Sequence, residues 1–179
     1  MPRPDNAQMA LRPARQAEAA VLSAIAMDSK AHWGYDAAFM EGCRAEISVS
    51  PKEIEELTVV VAQIGPEVAG FYSLEPDGTG GGELHKLFVR PDYIGHGIGR
   101  RLFQDACQHA NGAGFHAIFL DSDPYALGFY EQMGCSVIGE APSGSIPGRK
   151  LPRMRHPLGT GSGLERKTNG TTNLARGCS

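Results

Sequence analysis

Residues 83–102 read ELHKLFVRPDYIGHGIGRRL, and this stretch decides the fold. Leu84 to Val89 is a short apolar run of buried-strand type. Pro91 ends it, because proline has no N–H to give to a sheet ladder. Gly95, Gly97 and Gly99 follow, and they open a helix whose apolar positions are Ile98, Leu102, Ala106 and Ala110. A glycine-rich turn between strand and helix lets the backbone approach a ligand closely. It also aims free N–H groups and the positive end of the helix dipole at an anion. The stretch therefore predicts a site for a phosphorylated cofactor.

The spacing narrows the choice of cofactor. A dinucleotide fingerprint needs glycine at the sixth place of G-x-G-x-x-G, and Arg100 stands there. A nucleoside triphosphate loop needs a Gly-Lys-Ser/Thr ending, which the chain lacks. Ile94-Gly95-His96-Gly97-Ile98-Gly99 instead resembles motif A of the GNAT acetyltransferases, the turn that binds the pyrophosphate of acetyl-CoA. Ile94 departs from that pattern, which usually carries Gln or Arg at this place. A second motif stands about twenty residues on. Phe115 to Leu120 forms another apolar run, then Asp123-Pro124 offers an N-cap and a first helical residue. The helix after it holds Ala126, Phe129-Tyr130 and Gly134, which is similar to the family's later motif. The resemblance covers roughly residues 9–158.

Composition agrees with one soluble domain. A chain of 179 residues with a formal net charge of −3 is long enough for a core and carries no electrostatic footprint for nucleic acid or an anionic membrane. No apolar run approaches the length of a membrane span, and the N-terminus is not a signal peptide, so a cytoplasmic protein is expected. Cys43, Cys107, Cys135 and Cys178 are scattered without C-x-x-C spacing. They predict thiols rather than disulfides or a metal site.

Working outward, residues 1–8 form a loose leader, 9–158 the domain and 159–179 a disordered tail. Met9–Arg12 is a first strand, and helices follow over Ala17–Ser29 and Asp36–Arg44. Leu57–Ile64 and Val68–Leu74 make a hairpin around Gly65-Pro66. Ser136–Glu140 and Lys150–Leu158 are the last two strands. The order is that of an α/β fold. The resemblance implies a GNAT acyl-CoA N-acyltransferase fold, with a mixed central sheet of about seven strands flanked by four helices.

The resemblance also implies a chemistry. Acetyl moves from acetyl-CoA to a primary amine by direct attack in a ternary complex, which requires neither a protein nucleophile nor a metal. The amine must lose a proton and the leaving thiolate must gain one. Tyr130 falls on the family's acid, with core packing as its other reading. For the base, His85 occupies the position where the family often has a carboxylate, and imidazole has a suitable ordinary pKa. Glu83 shares strand parity with His85, Leu87 and Val89. It would support the imidazolium or act through a water.

Leu87, Phe88 and Val89 should meet the pantetheine arm at a splayed sheet edge. Gly95, His96, Gly97, Gly99 and Arg100 should surround the pyrophosphate. Asp123 stands where the family often has Asn beside the pantetheine, and capping its helix is an equal reading. Trp33 and Tyr35 are the acceptor-pocket candidates. Arg149, Lys150, Arg153 and Arg155 make the late loop and strand basic, which suits a carboxylate-bearing acceptor or a solvated face. The acceptor itself stays open between a small-molecule amine and a peptide N-terminus or lysine, and a homodimer is compatible with the fold. The rival reading is a non-catalytic acyl-CoA-binding or regulatory module of the same fold.

Overall fold

The computed structural model describes residues 9–159. The expected leader, all but the first residue of the expected tail, and Cys178 lie outside these. Among the described residues seven strands form one sheet in the order β1-β2-β3-β4-β5-β7-β6. They are β1 (Met9–Pro13), β2 (Thr58–Ile64), β3 (Glu67–Pro76), β4 (Gly82–Val89), β5 (Ala117–Asp121), β6 (Ser136–Pro142) and β7 (Lys150–Pro157). Five α-helices accompany them among the described residues: α1 (Ala19–Ala31), α2 (Ala37–Ile47), α3 (Pro51–Glu56), α4 (Ile98–Gly112) and α5 (Leu127–Gln132).

α3 is the addition to the four expected. Ser50 caps it by accepting from the Glu53 N–H at 3.0 Å, and Pro51 fills its first turn. Ser-Pro-x-Glu is a helix-start signature that the short apolar content of this segment had masked.

The sheet divides the core in two. On one face Ile98, Leu102, Phe103, Ala106 and Ala110 of α4 pack with Tyr72, Leu74, Leu84, Ile118 and Met154. On the other, Leu22, Ile25 and Ala26 of α1 and Ile54 of α3 pack with Val59, Val61 and Phe71. All strand pairs are antiparallel except β4 and β5.

Two irregularities in β4 shape everything that follows. β4 pairs with β5 only at Gly82↔Ile118 and Glu83↔Phe119, so from Leu84 onward its edge has no strand partner on that side among the described residues. The register with β3 also slips, from Ser73↔Lys86 to Leu74↔Leu84, which leaves His85 as the extra residue of a β-bulge. This corrects the expected parity. Leu84, Leu87 and Val89 all lie on the α4 face, three and two residues apart, whereas Phe88 lies on the α1 face. His85 and Glu83 therefore do not share a face with Leu87 and Val89.

Candidate active site

A cavity of about 500 Å³ opens where β4 leaves β5. Its walls come from β4 residues 84–89, the glycine turn, α5, the end of α1 and the β6–β7 loop. Among the residues singled out from sequence, it gathers His85, Leu87, Phe88, Val89, Gly95, Gly97, Gly99, Arg100, Asp123, Tyr130 and Trp33. Glu83, His96 and Tyr35 are not in its wall.

The glycine turn is built as its sequence requires. Gly95 and Gly97 have φ of 84° and 80°, a region where an L side chain is strained. Gly97 is the N-cap of α4, so the first N–H groups of that helix look into the turn. His96 sits between them, but its Nδ1 is buried without a partner and it does not line the cavity.

Tyr130 is a buried residue. Its ring meets Phe103 and Phe129 edge-to-face, with centroids 5.9 and 5.0 Å away. Burial, reinforced by Cys135 and Asp123, pushes its hydroxyl well above the ordinary tyrosine range. The hydroxyl is therefore protonated at working pH.

His85 lines this cavity and also a second, polar one of about 420 Å³ on the α3 side. Its Nε2 contacts the carboxylate of Glu75 on β3. The adjacent Lys86 is held by Glu53 of α3 at 2.6 Å. Glu83 is committed elsewhere. Arg153 of β7 grips both its oxygens, at 2.5 and 2.7 Å, and reaches Asp121 at 3.1 Å. The carboxylate expected to support His85 is thus replaced by Glu75.

Asp123 does more than cap. It accepts from the Tyr125 N–H at 3.0 Å, from Lys30 Nζ at 3.0 Å and from the Tyr35 hydroxyl at 2.9 Å. Arg149 Nη2 donates to the same hydroxyl at 2.7 Å and lies 3.5 Å from Asp123. Burial alone would raise the Asp123 carboxyl, but the Lys30, Tyr125 and Tyr35 hydrogen bonds outweigh it and hold it below its ordinary value. Burial and Asp123 push Tyr35 up to about 12.

Tyr35 is stacked on Phe39, with centroids 4.0 Å apart. The Arg149 guanidinium lies 4.9 Å from the Phe39 centroid. Trp33 and Tyr125 form a parallel, exposed pair at 5.5 Å. Lys30, Phe39, Glu75 and Tyr125 carried no motif in the sequence, and only the folded arrangement of α1, α2, β3 and the turn before α5 brings them together. Cys43, Cys107 and Cys135 are free thiols. Among the described residues no helix is long and apolar enough to cross a membrane, and no cluster of metal ligands occurs.

Residues 27–135 match the family model described as the acetyltransferase (GNAT) family. The chain belongs to the acetyltransferase (GNAT) family, whose members are acyltransferase enzymes. Over 53 residues it is 36% identical to a glucosamine 6-phosphate N-acetyltransferase of Trypanosoma brucei brucei, a stretch covering 30% of this chain and 36% of that protein. The match thus spans about a third of that relative's length.

Its fold is similar to that of a GCN5-related N-acetyltransferase from Rhodopseudomonas palustris. The TM-score is 0.71 at 23% identity, over 83% of this chain and 95% of that one. It is also similar to the PaiA N-acetyltransferase of Thermoplasma acidophilum, solved with coenzyme A. There the TM-score is 0.70 at 20% identity, over 84% and 99% of the two chains. At these identities the likenesses establish the fold of this GNAT chain.

Proposed function

We propose that this GNAT chain transfers acetyl from acetyl-CoA to a primary amine by direct attack in a ternary complex. One observation carries the reading. β4 parts from β5 after Glu83, beside a turn of left-handed glycines at a helix N-terminus. The free edge of β4 can take the amide groups of a pantetheine arm as an added strand, and the turn can take a pyrophosphate. Leu87, Phe88 and Val89 would hold the arm, while Gly95, Gly97, Gly99 and Arg100 would hold the phosphates.

The thioester supplies the activated acyl group. The amine nitrogen bonds to the carbonyl carbon as the carbon–sulfur bond breaks. His85 takes the proton from the acceptor ammonium, and buried Tyr130 gives its proton to the leaving thiolate. Glu83, held by Arg153, is a structural residue in this reading. The short likeness to a glucosamine 6-phosphate N-acetyltransferase supports a small-molecule amine acceptor.

Release of free coenzyme A thiol, followed across a panel of amines, tests the reading. Amine-dependent release with matching N-acetyl product is expected. Tight coenzyme A binding without turnover of any amine would instead favour a binding module.

A further inference from the structure

We propose that the acceptor carries an oxyanionic group, carboxylate or phosphate, and that Arg149 with Lys30 reads it from the cavity wall; this rests on the acyl-transfer reading above. Of the four basic residues in the late loop and strand, three are spent or remote. Lys150 pairs with Glu140 at the surface, Arg153 is held by Glu83 and Asp121, and Arg155 is not in the cavity wall. Arg149 is in that wall, with a side chain only 18% exposed.

The charges around it do not balance. Lys30 and Arg149 are two cations sharing one carboxylate, Asp123. The Tyr35 hydroxyl between them stays neutral, since its pKa is pushed up to about 12. Lys30, Arg149 and Asp123 together leave one positive charge in a partly desolvated wall, where an opposite charge is favoured most. Glu46, in the same wall, is exposed and makes no ion pair with either cation.

The donors do not balance either. Arg149 uses Nη2 on Tyr35 and Asp123. Nε and Nη1 have no protein acceptor among the described residues, and neither is a buried orphan, so both are open to the cavity or its solvent. With its Cζ over the Phe39 ring at 4.9 Å, the guanidinium keeps the Nε/Nη1 edge that takes a carboxylate or phosphate in a fork.

Paired acceptors test this, each amine offered with and without its anion. Suitable pairs are glucosamine 6-phosphate with glucosamine, and amino acids with their amides. We expect kcat/KM to favour the anion-bearing members by about 10- to 100-fold, the range for a hydrogen bond to a charged group. Arg149→Met should collapse that ratio, chiefly through KM, and Arg149→Lys should restore part of it. The phosphate and carboxylate pairs say which anion is read.

A second measurement is independent of turnover. With coenzyme A saturating the glycine turn, inorganic phosphate or acetate should bind to the wild-type chain in calorimetry and not to Arg149→Met. Equal use of both members of every pair overturns the subsite, as does an Arg149→Met variant that lowers both members alike. If no amine turns over, the acyl-transfer reading fails, and the calorimetric arm alone then supports or overturns the anion site.

Discussion

Arg153 on β7 grips Glu83 on β4 through Nη1 and Nη2, at 2.5 and 2.7 Å, on the last rung where β4 and β5 still pair. The pair closes the root of the fork in the sheet. It also removes Glu83 from the list of free carboxylates. Glu83→Gln should therefore lower the melting temperature and leave kcat within about ten-fold of wild type. His85→Ala should cost the ~10²–10⁴ typical of a lost acid or base. Stopped-flow thiol release on both variants checks this. A Glu83→Gln variant as impaired as His85→Ala would return the base role to Glu83 and its water.

Gly97 holds α4's first turn open at φ 80°. A Cβ there costs roughly 1–2 kcal/mol, the penalty of the left-handed region for an L residue, at the cap of the helix whose first N–H groups would meet a phosphate. Gly97→Ala should lose coenzyme A affinity by at least ten-fold and melt slightly lower. Gly99 is a different case. A Cβ there would meet Phe129 at 3.4 Å, an ordinary contact, so Gly99→Ala should bind nearly as well. Calorimetry on the two variants separates them, and equal losses would mean that helix packing rather than backbone approach limits binding.

How far the sequence reached follows from which physical signals are local. Strand, proline, glycine turn and amphipathic helix are local patterns, so residues 83–102 announced β4, the turn and α4 with the buried positions of α4 intact. The bulge was invisible, because one inserted residue shifts parity without changing composition. That shift moved the support of His85 from Glu83 to Glu75, a residue ten positions away on another strand. The Asp123 network could not be read at all, since Lys30, Tyr35 and Arg149 meet it across 93, 88 and 26 residues. Asp123 itself was legible as a helix cap or as a neighbour of the pantetheine, not as the centre of an ion-pair network.

Tyr130 offers a cleaner substitution than any other wall residue. Phenylalanine keeps the edge-to-face contacts with Phe103 and Phe129 and removes only the hydroxyl. With its hydroxyl held above the ordinary range by burial, the tyrosine is a donor and not a base at neutral pH. Tyr130→Phe should lower kcat by ~10²–10⁴ with little change in coenzyme A affinity. If kcat stays within a few-fold of wild type, the residue is packing and the thiolate takes its proton from water.

Asp123 makes stability depend on acidity in a direction that can be worked out. Its folded carboxyl lies below its ordinary value, because Lys30, the Tyr125 N–H and Tyr35 outweigh the effect of burial. The unfolded chain, with an Asp near the ordinary ~3.9, then takes up the proton first as the pH falls. The stabilisation is fully present above that value and is lost as pH drops through the lower, folded one. Asp123→Asn keeps an acceptor for the Tyr125 N–H but leaves Lys30 and Arg149 facing each other without a counter-charge. The variant should melt below wild type from pH 7 down to about 5, and the gap should close as pH falls below about 4. Scanning calorimetry of both proteins at pH 7, 5 and 3 isolates this group, because the other carboxylates titrate equally in each. A gap that stays constant across that range would mean the charge of Asp123 does not hold α1, the α1–α2 turn and the β6–β7 loop together, and that Asp123 acts as a helix cap alone.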